Sequence, residues 1–193
     1  MQNISTFLPA SIRSAEYTGG KVFRVAVGTL ILAASSWVSV PTVPVPITMQ
    51  TYAVIVIGAL FGARLGAITV LAWLVEAAVG LPVLASGSGG LAAFLGPTAG
   101  YLFSFPVAAA FVGWLADRKL DRGVLRSFAS MLGGNAINLG LGVLWLSAIV
   151  GWHSAFVIGF LPFWAGGLAK AFLATATVVL VRKARAKRAP DSQ

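Results

Sequence analysis

The chain has 193 residues, is 58% hydrophobic with a mean hydropathy of +0.90, and only 10% of its residues are charged. A water-exposed globule of that composition would be insoluble, so the class is a polytopic membrane bundle forming one compact body. The net charge of +9 excludes little by itself, but the basic residues sit between apolar runs, which is an orientation pattern and not a nucleic-acid surface. With no cysteine, disulfides, zinc thiolates and thiol catalysis are all excluded.

Three parts are expected in chain order: a cytoplasmic segment 1–21, a membrane domain 22–182 and a basic cytoplasmic tail 183–193. The apolar run 22–40 is longer than the ~7–15 residues of a signal-peptide core, which favours a retained helix. A membrane span needs ~20 mostly apolar residues. On that template six transmembrane helices are predicted, at 22–40, 47–63, 65–80, 97–116, 124–150 and 155–181. The second and third meet at Arg64. A single re-entrant hairpin would bury that arginine at a cost of ~2.5–3.5 kcal/mol, so two short spans are preferred.

Thirteen of the fourteen Lys and Arg residues fall near the termini, at Arg64 between predicted helices 2 and 3, or between predicted helices 4 and 5. Six alternating spans put all of these on one side. The opposite connections, 41–46, 81–96 and 151–154, have none. The positive-inside rule then makes both termini cytoplasmic, in an all-α membrane protein.

The three charge-free connections therefore share the outer face. The first, Pro41-Thr42-Val43-Pro44-Val45-Pro46, reads as stiff and extended. The second lies in residues 80–102, which carry six glycines among Leu, Val, Ala and Phe and no charge. A hydrated linker would be polar, so this stretch is expected to fold as a lid over a small molecule. The third is Gly151-Trp152-His153-Ser154. Glycines 58, 62 and 66 recur at helix-packing spacing.

Glu76 and Lys170 are the acid and the base of the predicted membrane interior, both in its outer half. Intramembrane charges are costly and mark functional sites or structural ion pairs; both readings are open here. Asn135 and Asn138 share a helix face at i, i+3 and fit either interhelical bonding or ligand contact. Tyr101 follows the glycine-rich stretch directly. No phosphate-binding loop is present and His153 is the sole histidine, so neither self-contained ATP hydrolysis nor a His-rich metal site is expected, and no cofactor.

Val43-Pro44-Val45-Pro46-Ile47-Thr48-Met49-Gln50-Thr51, followed by Gly58-Ala59-Leu60-Phe61-Gly62-Ala63-Arg64-Leu65-Gly66, Gly80-Leu81-Pro82-Val83, Gly89-Gly90-Leu91 and Gly96-Pro97-Thr98-Ala99-Gly100-Tyr101-Leu102, resembles the BioY family from about residue 22 to residue 182. That family comprises the biotin-binding S components of energy-coupling factor (ECF) transporters. The resemblance implies a six-helix bundle in the cytoplasmic membrane, surrounded by lipid, with an outer biotin pocket under two loops. It also implies a transmembrane coupling protein and two ATPase partners, and no enzymatic activity of the chain itself. Lys170 matches a family lysine, whereas Gly167 stands where an Asp is common; Glu76 is one candidate for the missing carboxylate. The expected substrate-binding residues are Lys170, Gly90, Leu91, Ser86, Tyr101, Asn135, Asn138 and Glu76. The alternative is a self-sufficient secondary transporter, proton-coupled through Glu76.

Overall fold

The computed structural model describes residues 10–188. Seven α-helices account for most of it: α1 (Ala10–Trp37), α2 (Gln50–Phe61), α3 (Ala63–Ala78), α4 (Ala99–Asp117), α5 (Val124–Val150), α6 (Trp152–Gly159) and α7 (Trp164–Arg188). A two-stranded antiparallel hairpin, β1 (Ser39–Val40) with β2 (Ile47–Thr48), joins α1 to α2. Among the described residues, α4, α5 and the Trp164–Lys187 part of α7 are long and apolar enough to cross a membrane.

Three expectations change at this level. The helix predicted at 155–181 is two helices, because Pro162 cannot continue a helical hydrogen-bond ladder and the chain turns at residues 160–163 before α7 starts. The helix predicted to begin at residue 22 runs from Ala10, since nothing in the sequence between 10 and 21 breaks a helix except two tolerated glycines. The proline-rich connection is not a straight extended segment but the loop of the β1–β2 hairpin, closed by the Ser39–Thr48 and Val40–Ile47 pairs. By contrast, α2 and α3 are separate helices, as expected, with Gly62 at φ +83° in the corner between them.

Helix α4 is the centre of the bundle. It packs on α2, α3 and α5, while α1 lies against α2 and α3, and α5 also meets α6 and α7. The core reflects this arrangement. Leu32, Val54, Val70, Trp73 and Phe105 fill the α1–α4 side, and Ile55, Val112, Met131 and Val178 fill the α2–α4–α5–α7 side. The Gly58, Gly62, Gly66 series serves internal packing: a Cβ on Gly66 would stand 3.0 Å from Gly58 Cα, and one on Gly58 would stand 2.5 Å from Ala109 O. Small residues allow apolar helices to approach until backbone touches backbone, where dispersion contacts are densest.

Candidate functional site

One end of the bundle encloses a cavity of about 470 Å³, inside the ~300–1,000 Å³ range of small-molecule pockets. Each element contributes the segment nearest that end. The β1–β2 hairpin and the start of α2 give Val45, Pro46, Thr48, Gln50 and Thr51. The 81–98 connection gives Leu84, Ala85, Ser88, Ala93 and Thr98, and α4 gives Tyr101, Leu102 and Phe105. Helix α5 supplies Asn135 and Asn138, and the turn into α7 supplies Phe160, Phe163, Trp164, Gly167 and Lys170.

The 81–98 connection is a folded cover and not a loose loop. Trp73 is fully buried on α3, and its Nε1–H donates to Val83 O at 3.0 Å. Gly90 N–H donates to Ala77 O at 2.7 Å, and at the far end Trp145 Nε1–H donates to Gly96 O at 3.1 Å. Gly90 adopts φ +87°, a conformation glycine reaches without the Cβ clash of other residues. Between these anchors two short 3₁₀ turns, Ala85–Gly87 and Leu91–Phe94, close the backbone on itself. Leu84 points inward and is buried. Thus the cover is pinned at both ends, with its apolar underside over the cavity.

The polar groups beneath it are held in place by bonds that leave specific atoms unused. Asn138 Nδ2–H₂ donates to Tyr101 O at 3.1 Å and to Ser104 Oγ at 2.5 Å. Asn135 Nδ2–H₂ donates to Met131 O at 3.1 Å. Asn138 thereby commits both of its N–H donors and Asn135 one of its two, and these bonds orient both side-chain oxygens as free acceptors. Tyr101 O–H donates to Gly159 O at 2.9 Å, fixing its ring against α5 at Gly142, where a Cβ would collide with it. At the hairpin side Gln50 Nε2–H₂ donates to Ser36 Oγ at 3.0 Å, and Thr48 Oγ1–H donates to Gln50 Oε1 at 3.0 Å. All three of those residues are buried, so they tie α1, the hairpin and α2 together at the cavity wall.

Of the residues expected to bind substrate, Lys170, Tyr101, Asn135 and Asn138 line the cavity together. Gly90, Leu91 and Ser86 belong to the cover but not to the cavity wall; Leu91 and Ser86 are exposed. Glu76 is half-buried on α3, does not line the cavity and forms no ion pair with Lys170. Its neighbours Trp73 and Ala77 take the core-facing positions of that helix. Among the described residues lining the cavity none is acidic, so Lys170 is its only charge. Thr48, Gln50, Thr51, Phe160, Phe163 and Trp164 were not anticipated as site residues. A polar cluster opening an otherwise apolar helix was the available signal for the first three. Gly159 and Pro162, which mark the break before α7, were the signal for the others.

A bundle of apolar helices around a covered, mostly apolar cavity with a few convergent polar groups is the anatomy of a small-molecule-binding membrane protein. Its sequence matches the BioY family over residues 10–187, and the chain belongs to that family. It is 38% identical over 162 residues to a probable biotin transporter BioY of Pyrococcus horikoshii, covering 84% of this chain and 94% of the relative. It is 32% identical over 173 residues to the biotin transporter BioY of Thermotoga maritima, covering 87% and 99%. The fold is similar to the crystal structure, at 2.1 Å, of the S-component for biotin from an ECF-type ABC transporter. That likeness has a TM-score of 0.73 at 28% identity and covers 87% of this chain and 93% of the other.

Proposed function

We propose that this chain binds biotin in the cavity under the 81–98 cover and carries it across the cytoplasmic membrane as the substrate-binding S component of an ECF transporter. The observation that carries the reading is the cavity itself, in a chain of the BioY family. Its walls are apolar and aromatic, and its only charge and two free amide oxygens come from facing helices α5 and α7. Biotin has matching parts: an apolar thiolane and chain, a ureido group that both donates and accepts, and a carboxylate. Phe160, Phe163 and Leu102 suit the apolar parts. Lys170 donates to an oxygen of the ligand, and Asn135 and Asn138 accept from ligand N–H groups. Tyr101 shapes the wall, while Ser86, Gly90 and Leu91 act through the cover they build.

In this reading the membrane domain spans six times, both termini are cytoplasmic and the cavity opens outward, with the basic residues on the inner side. Energy comes from partner subunits, a transmembrane coupling protein and two ATPases, because the chain has no phosphate-binding loop of its own. Proton coupling through Glu76 has no geometric support, since that side chain lies away from the cavity. Equilibrium binding of a vitamin panel to the purified protein tests the substrate: biotin should saturate a single site and the other vitamins should not. Uptake into liposomes, with and without co-reconstituted partner subunits and ATP, tests the division of labour. Biotin accumulation by this chain alone would contradict the S-component reading.

A further inference from the structure

The end of the bundle opposite the cavity is formed where α2 and α4 end, α5 begins and α7 runs out. Both acids of the α4–α5 region are bonded within the protein there, Asp121 buried and Asp117 exposed. Asp117 spends its carboxylate on the start of α3, its Oδ2 accepting from Ala63 N–H at 2.9 Å. Asp121 is buried, and its Oδ2 accepts from Arg182 Nη2 at 2.7 Å, while the same nitrogen reaches Ala59 O at 3.2 Å. Apart from Asp117, the charge left at this surface is positive. Arg118, Lys119, Arg122 and Arg126 are all exposed around the α4–α5 turn, and Lys183, Arg185 and Lys187 are exposed beyond Arg182 on α7.

A second observation sets this face apart from an ordinary solvated one. Exposed aliphatic side chains are interleaved with the cations: Leu120 is 49% exposed, Val124 66% and Leu125 79%. Trp114, one turn before Arg118, carries the guanidinium 4.4 Å above its ring. Water alone hydrates the cations but does not favour the aliphatic exposure beside them. A bilayer interface accommodates both, because aliphatic groups enter the acyl boundary while cations remain at phosphate depth.

We propose that this face binds anionic phospholipid headgroups. Leu120, Val124 and Leu125 seat the α4–α5 turn in the interface, and Arg118, Lys119, Arg122 and Arg126 take the phosphates. Burial of Asp121 against Arg182 removes one like-charged group that would repel those phosphates, and Asp117 is drawn toward Ala63 N–H at the start of α3. The surface is separate from the biotin cavity and does not depend on the ligand assigned to it.

The test is native mass spectrometry of the full chain in neutral detergent with equimolar phosphatidylglycerol and phosphatidylcholine, and with soluble glycerol phosphate in a separate arm. Phosphatidylglycerol should be retained over phosphatidylcholine by at least about tenfold, with the preference falling as salt rises. The quadruple variant R118Q/K119Q/R122Q/R126Q should lose the preference, and L120S/L125S should reduce it. Soluble glycerol phosphate should not be retained. Equal retention of the two lipids by the parent protein, or an unchanged preference in the quadruple variant, would overturn the proposal. So would retention of glycerol phosphate in place of lipid, or a parent protein indifferent to lipid that instead binds an acidic protein partner. Should the quadruple variant fail to fold, the salt dependence of the parent protein decides.

Discussion

Asn135 Oδ1 stands 4.0 Å from the position a Cβ would take on Gly167, and no other atom beyond α7's own adjacent backbone lies that near. Helices α5 and α7 thus leave room for a side chain between a free amide oxygen and Lys170, which lies one turn further along α7. A side chain introduced at 167 should fill ligand space without displacing protein atoms. Gly167→Leu is therefore expected to keep the melting temperature of the parent while weakening biotin binding at least about tenfold, equivalent to ~1.4 kcal/mol. Loss of folding together with binding would show instead that the gap between the helices is needed for packing.

Lys170 is the only charge in the cavity wall and has no acidic neighbour there. Lys170→Met keeps most of the apolar stem but removes the donor. Under the proposed function, affinity for biotin should fall more than about tenfold, since a hydrogen bond to a charged group contributes ~1.5–3 kcal/mol. Titration calorimetry on the purified variant, with circular dichroism to confirm the helices, distinguishes this outcome from unfolding.

Tyr101 and Gly142 are in such close contact that any Cβ at 142 would overlap the ring. Gly142→Val must push Tyr101 aside and break its O–H bond to Gly159 O. Overpacking of this kind costs ~1–3 kcal/mol, so thermal unfolding should start at a lower temperature. Because the displaced ring also lines the cavity, biotin affinity should drop in parallel.

At the other end, Arg182→Ala would strand the Asp121 carboxylate, which is fully buried. Removing one partner of a buried pair costs ~3–5 kcal/mol, whereas replacing both with apolar residues is often neutral. Arg182→Ala should therefore be strongly destabilised in thermal unfolding, and the double variant R182M/D121L should recover most of the loss. A double variant as unstable as the single one would mean that the Arg182 bond to Ala59 O matters more than the ion pair.

The helices were legible because long apolar runs carry their own signal, and the α2–α3 corner was legible because burying Arg64 was too costly. The break between α6 and α7 was hidden: residues 155–181 are apolar apart from Lys170, Thr175 and Thr177, and hydropathy cannot tell a span from a helix that turns at Pro162. The hairpin was missed for a related reason. Proline restricts each residue locally, but the Ser39–Thr48 and Val40–Ile47 pairing that folds the segment back depends on contacts the local sequence does not encode. Within the site, Lys170, Asn135 and Asn138 stood out as polar groups in apolar helices. Glu76 stood out for the same reason, yet helical phase turns it away from the cavity, a difference that charge alone could not reveal. In the sequence Gln50 and Thr48 figure only as part of a motif and not as site residues, because they stand where an apolar helix is predicted to begin and polar residues there are ordinary.

The most direct test of the account is equilibrium binding of biotin to the purified parent protein and to Lys170→Met side by side. The account predicts saturable binding of one biotin per chain to the parent and at least about tenfold weaker binding to the variant. No binding to the folded parent, or equal affinity in the two proteins, would contradict it.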